Sequence, residues 1–117
     1  MTIPETEFHD LVGAWLHDRF PSDAIRDEPR LHTGRIPDWL VVSPLGAVFA
    51  IEVENTADDV IGGVGQARLY ASHSPRYVPV VIFPTMSAEA REEIRLLRQH
   101  MVVIELDPET LAAEYAE

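Results

Sequence analysis

The chain has 117 residues, 46% of them hydrophobic, which is enough apolar material for one core and too little length for two ordinary domains. It contains no cysteine, so a disulfide framework, a thiolate nucleophile and a cysteine zinc site are all excluded. Asp and Glu number 20 against 9 basic residues, a formal net charge of -11, and every one of the nine is arginine; lysine is absent.

Residues 3–19 carry Phe8, Leu11, Val12, Trp15 and Leu16 at helical spacing, an apolar stripe on an amphipathic helix. Thr2 and Glu5 read as its capping box, and Pro21 stops it. Residues 24–31 are charged and weakly patterned, as an edge strand would be.

Residues 39–43 and 47–54 are rich in valine, isoleucine and aromatics, and Ser43-Pro44-Leu45-Gly46 joins them. Proline second and glycine fourth suit a type I turn closed by a left-handed residue, the three-residue hairpin loop with a bulge. That loop sets Ser43 opposite Ala47. Counting outward, Val42 faces Val48, Leu40 faces Ala50, and Asp38 faces Glu52 on one side of the sheet, with Glu54 following two residues on.

Residues 56–73 then read as a helix with Val60, Val64, Ala67 and Ala71 along one face, despite three glycines. Residues 78–83 form a short apolar run bearing Pro79 and closed by Pro84, which reads as a buried strand. Ser87 caps a third helix with Ala90, Ile94 and Leu97 inward, followed by a strand at 101–106 and a short acidic C-terminal helix. The expected order is αβββαβαβα in a single α/β domain spanning 1–117, a mixed central sheet flanked by helices.

Three carboxylates, Asp38, Glu52 and Glu54, at the open end of one hairpin face suit a hard cation such as Mg2+ or Mn2+, which prefers oxygen ligands. Such an ion serves phosphodiester hydrolysis by polarising the phosphoryl oxygen, activating water and stabilising the leaving oxygen. Like charges gathered together otherwise repel, so the cluster asks for a cation. The plainer alternative is that Pro37-Asp38 merely opens a strand while Glu52 and Glu54 lie on a solvated face.

The order of features tips the balance. A first helix, a meander with Pro37-Asp38 and Glu52-Val53-Glu54, then a helix containing Gly65-Gln66-Ala67-Arg68-Leu69-Tyr70-Ala71, resembles the PD-(D/E)XK nuclease superfamily over residues 3–106, most specifically 36–71. The resemblance implies a restriction-endonuclease-like fold with Asp38 and Glu52 as metal ligands, the Val53 carbonyl as a further ligand, and Gln66 shaping the site or contacting phosphate. Arg35, Arg68 and Tyr70 become DNA contacts. Glu54 stands where the family pattern usually has lysine. Two readings follow: Glu54 orients or deprotonates the attacking water, as glutamate does in some restriction enzymes of this superfamily, or the site has lost its chemistry. Since lysine is absent throughout, the substitution is not a targeted inactivation, and an active enzyme is the favoured reading.

The implied activity is a metal-dependent endodeoxyribonuclease. Relatives of this size often act as homodimers on branched DNA, which points by analogy to a Holliday-junction resolvase or phage-type repair nuclease. The alternative is a catalytically inactive module of the same fold that binds nucleic acid or protein. Glu5 or Glu7 on the first helix are lesser candidates for the metal. His9, His17, His32, His73 and His100 contain no H-x-x-x-H pair for zinc, and Arg91, Arg95 and Arg98 are interleaved with acids as on a solvated face.

Net negative charge opposes nucleic-acid binding, because affinity comes largely from cations neutralising phosphates. At 1 M salt, however, the Debye length is only about 3 Å, so a local patch such as Arg26, Arg30, His32 and Arg35 acts with little opposition from the global field. Absent lysine beside surplus carboxylates is what a salt-rich cytoplasm selects across a whole surface, though an ordinary acidic protein with a lysine gap has the same composition. Without a secretory leader or an apolar run of ~20 residues, the expected place is the cytoplasm, or a host's cytoplasm for a viral protein, with no membrane partner. A halophilic origin predicts that the thermal midpoint rises steeply as KCl is taken from 0.1 M into the molar range; a flat response removes that reading.

Overall fold

The structure is a computed structural model that describes residues 3–27, 38–55, 77–85, 92, 96, 102–110 and 113–115. Helix α1 (Glu5–Arg19) is followed by a 3-10 turn at Ser22–Ala24 and by strands β1 (Ile25–Asp27), β2 (Trp39–Val42), β3 (Val48–Val53), β4 (Tyr77–Pro84), β5 (Val102–Leu106) and β6 (Ala113–Tyr115). The strands form one sheet in the order β1-β2-β3-β4-β5-β6. Pairs β1-β2, β2-β3 and β5-β6 are antiparallel, whereas β3-β4 and β4-β5 are parallel, so an α/β domain with a mixed sheet is what forms. The helices expected at 56–73 and from Ser87 onward fall largely outside the described residues.

Helix α1 begins two residues later than the expected span. Pro4 is the N-cap, with extended ψ of 142° and no side-chain cap hydrogen bond, and its carbonyl accepts from the Phe8 amide at 3.0 Å. A residue before proline is pushed out of helical conformation, so Ile3 cannot start the helix and the Thr2 capping box gives way to Pro4. The apolar stripe does form: Phe8, Val12, Trp15 and Leu16 are all buried. They pack on Trp39, Val41, Ile51, Val53, Val80, Ile82, Ile104 and Leu106, which alternate along β2 to β5 and define one sheet face.

The hairpin turns as its residues dictate. Gly46 has φ +89°, the Ser43 carbonyl accepts from the Gly46 amide at 3.0 Å, and the Ser43 amide donates to the Ala47 carbonyl at 2.8 Å. The register follows, with Val42 opposite Val48 and Leu40 opposite Ala50. Strand β1 is the sheet edge and begins at Ile25, one residue later than expected; residues 28–31 of the expected strand lie outside the described residues.

Strand β4 carries Pro79 and Pro84 in a central position of the sheet. The N–H that Pro84 lacks would face β3, whose pairing ends at Val53–Ile82, before Pro84.

The expected C-terminal helix is instead strand β6. After Leu106 the chain turns through Asp107, whose Oδ1 accepts from the Glu109 amide at 2.9 Å. It then returns antiparallel with Leu106 opposite Ala113 and Ile104 opposite Tyr115, so the ladder of an apolar strand that would otherwise be an open edge is paired.

Gly13 lies directly over Trp39: a Cβ there would meet the indole at 2.9 Å. Alanine would gain about 1 kcal/mol in helix propensity, but overpacking a buried indole costs about 1–3 kcal/mol. Gly13→Ala is therefore expected to lower stability in urea denaturation, and an unchanged or raised midpoint would show that Trp39 can retreat.

Candidate active site

The ladder between β2 and β3 runs through the hydrogen-bonded pairs Ser43–Ala47, Val41–Phe49 and Trp39–Ile51, so the next amide pointing toward β2 is that of Val53. Its ladder partner would be residue 37. The Asp38 carboxylate takes that role: Oδ2 accepts from the Val53 amide at 2.7 Å, in the short range of charge-assisted bonds. The neighbouring amide of Glu54 points the other way, to the Ile82 carbonyl at 3.0 Å on β4. A residue's N–H and C=O leave a strand on the same side, so the Val53 carbonyl projects toward the edge that Asp38 occupies.

Glu52 alternates with Ile51 and Val53 and lies on the face away from α1, with Leu40 and Ala50. It is only 5% exposed. Glu54, next on that side, is half-buried. The expected register continues naturally to Asp38 opposite Glu52, but the Asp38 carboxylate turns in toward the strand backbone rather than standing off the sheet. Among the described residues no three of His, Cys, Asp and Glu come close enough together to hold a metal ion, so Asp38, Glu52 and Glu54 do not form a three-carboxylate cage. Taken singly, the carboxylates of Asp38 and Glu52 and the Val53 carbonyl are hard oxygen donors of the type that Mg2+ accepts.

Glu5 and Glu7 are exposed in the first turn of α1, which packs against the face opposite Glu52. Asn55 Nδ2 donates to the Ile3 carbonyl at 3.0 Å, tying the exit of β3 to the entry of α1 and fixing the end of the strand that bears Glu52 and Glu54. Gln66, Arg68, Tyr70 and Arg35 lie outside the described residues, as do Arg30 and His32; Arg26 is exposed on β1.

The sequence reading missed Glu105, 7% exposed on β5 and on the same face as Glu52. One acidic residue inside Val102-Val103-Ile104-Glu105-Leu106 was the available signal. Registers Glu52–Val81, Val81–Val103 and Phe83–Glu105 separate the two glutamates by two strand spacings and two residues. That is roughly 12 Å between Cα positions.

Comparison with family models, with curated proteins and with solved structures gave no match to this chain. No described helix is long and apolar enough to cross a membrane.

Val53 is buried, so removing its acceptor strands an amide away from water. Asp38→Ala is expected to destabilise the fold by about 1–3 kcal/mol, and Asp38→Asn, which keeps a carbonyl acceptor, by clearly less. Equal urea midpoints for wild type and Asp38→Ala would show that the bond contributes nothing.

Proposed function

We propose that this domain is a metal-dependent endonuclease that hydrolyses DNA phosphodiester bonds, with Asp38 and Glu52 as the carboxylates that hold Mg2+ or Mn2+. The observation carrying the reading is the 2.7 Å bond from the Val53 amide to Asp38 Oδ2, which joins the aspartate of the Pro37-Asp38 pair to the Glu52-Val53-Glu54 strand. That is the pairing of motifs on which the resemblance to the PD-(D/E)XK superfamily rests.

In this reading Asp38, anchored through one oxygen, and Glu52 present their remaining oxygens beside the Val53 carbonyl. The ion, when bound, supplies Lewis acidity toward the phosphoryl oxygen and lowers the pKa of the attacking water. Glu54 takes the proton of that water on its carboxylate, the role filled by lysine in the usual family pattern. Gln66 shapes the phosphate pocket, and Arg35, Arg68 and Tyr70 contact DNA. By analogy of size the substrate is branched DNA cut by a homodimer, as a Holliday-junction resolvase or phage-type repair nuclease would do, in a salt-rich cytoplasm that screens the net charge of -11.

A second reading is a non-catalytic module of this fold that binds nucleic acid or protein. The burial of Glu52 and the absence of a three-carboxylate group among the described residues favour it.

Cleavage assays on linear duplex, single-stranded and four-way-junction DNA in high KCl with Mn2+ separate the two. An enzyme loses cleavage in Glu52→Gln with its circular dichroism unchanged, and Glu54→Gln slows it by about 10²–10⁴-fold, the range for a general base. Intact wild-type protein that cuts none of the three substrates supports the binding module.

A further inference from the structure

Three successive residues at the exit of β3 are held by three different elements. The Val53 amide donates to Asp38 Oδ2 at 2.7 Å beside the start of β2, the Glu54 amide to the Ile82 carbonyl at 3.0 Å on β4, and the Asn55 side-chain amide to the Ile3 carbonyl at 3.0 Å at the entry of α1. The first two continue the sheet's own ladders. The third reaches out of the sheet: pairing of β3 with β4 ends at Val53–Ile82, and Asn55 carries the hold past it through a side chain.

The acceptor of that bond is rigid. Ile3 packs against the core, Pro4 follows with φ -58°, and the Pro4 carbonyl accepts from the amide of the fully buried Phe8. The proline ring locks this φ, so the Ile3 carbonyl cannot swing away without moving the start of α1 with it. A carbonyl only accepts, which fixes the end of the Asn55 amide that faces it as the nitrogen. The bond is partly buried, where a neutral hydrogen bond is stronger than in water. The direction in which the Glu54 side chain leaves the backbone depends on the chain on both sides of its Cα. Its own amide fixes the one before, and Asn55 the one after.

We propose that Asn55 is a positioning residue for Glu54: tied to α1, it holds the Glu54 carboxylate where it takes the proton of the attacking water. This rests on the nuclease reading, in which Glu54 is the general base. The effect runs through Glu54 and not through the ion, because Asp38 is anchored by the Val53 amide and Glu52 lies in the paired part of β3, opposite Val81. A displacement of about 1 Å at a reacting group can cost about 10²-fold in rate.

The test compares Mn2+-dependent DNA cleavage by the wild type, Asn55→Leu, Glu54→Gln and the double variant. Leucine keeps the shape of asparagine and lacks the donor. Asn55→Leu is expected to lower kcat about 10–100-fold, to leave Mn2+ affinity unchanged, and to add nothing to the loss in Glu54→Gln. A residue that merely supports the fold would slow both backgrounds equally; that result, or a wild-type kcat in Asn55→Leu, overturns the proposal and leaves the nuclease reading standing. Wild-type protein that cuts no DNA overturns the nuclease reading and the catalytic role of Asn55 with it. Hydrogen exchange distinguishes that failure from failure of the tether: Asn55→Leu is expected to lower protection of the Glu54 amide about five-fold, the worth of one neutral hydrogen bond, and unchanged protection overturns the proposal whatever the cleavage result. Should Asn55→Leu not fold, Asn55→Ser, whose hydroxyl is too short to reach the Ile3 carbonyl, is expected to give the same losses and is judged by the same outcomes.

Discussion

The Val53 amide meets a carboxylate instead of a backbone carbonyl, and the open end of the β2–β3 hairpin is organised by that substitution. Strand β2 stops at Trp39, one step before the ladder position that would satisfy Val53. Asp38 fills the gap with Oδ2 at 2.7 Å. Because that carboxylate serves as the last rung of the sheet, its position is fixed by the register of the hairpin, and the register is fixed by the Gly46 turn three pairs away. Strand pairing and site geometry are one constraint at this point, so a slip of the hairpin by one residue would move Glu52 to the α1 face and detach Asp38 together.

The two faces of the sheet have divided the work. One is apolar over β2 to β5 and takes α1, with Gly13 letting the Trp39 indole come close to the helix and His9 stacking on the same indole at 5.1 Å; at its β1 edge it carries Asp27, 4.0 Å from His9 Nε2. The other carries both buried acids, Glu52 and Glu105, among Leu40, Ala50, Val81 and Val103. Glutamate is rarely this buried without a reason, since the charged form is strongly disfavoured by desolvation. Glu52 has a functional explanation in the nuclease reading; Glu105, on the far side of β4, has none in it.

How much was legible in the sequence follows from how local each signal was. The hairpin was readable to the residue because Ser43-Pro44-Leu45-Gly46 admits few loop geometries, and the α1 stripe because Phe8, Val12, Trp15 and Leu16 keep helical spacing over more than two turns. The start of α1 went astray because a plausible capping pair outweighed the steric rule imposed by Pro4. The C-terminal strand was missed because Ala113-Glu114-Tyr115 has no strand pattern of its own; only the need of β5 for a second neighbour makes it one. At the site, parity correctly put Glu52 on the face of Leu40, but a side chain's final direction is a tertiary matter. Nothing in the spacing of Asp38 and Glu52 said that the aspartate would bend in to cap an amide.

In the proposed nuclease, Asp38, so anchored, and Glu52 share one divalent ion. Calorimetric titration of Mn2+ into the full chain in high KCl is expected to show one ion per chain, with binding lost in both Asp38→Asn and Glu52→Gln while each variant keeps its fold. Absence of binding to the wild type, or binding that survives both substitutions, would contradict that reading.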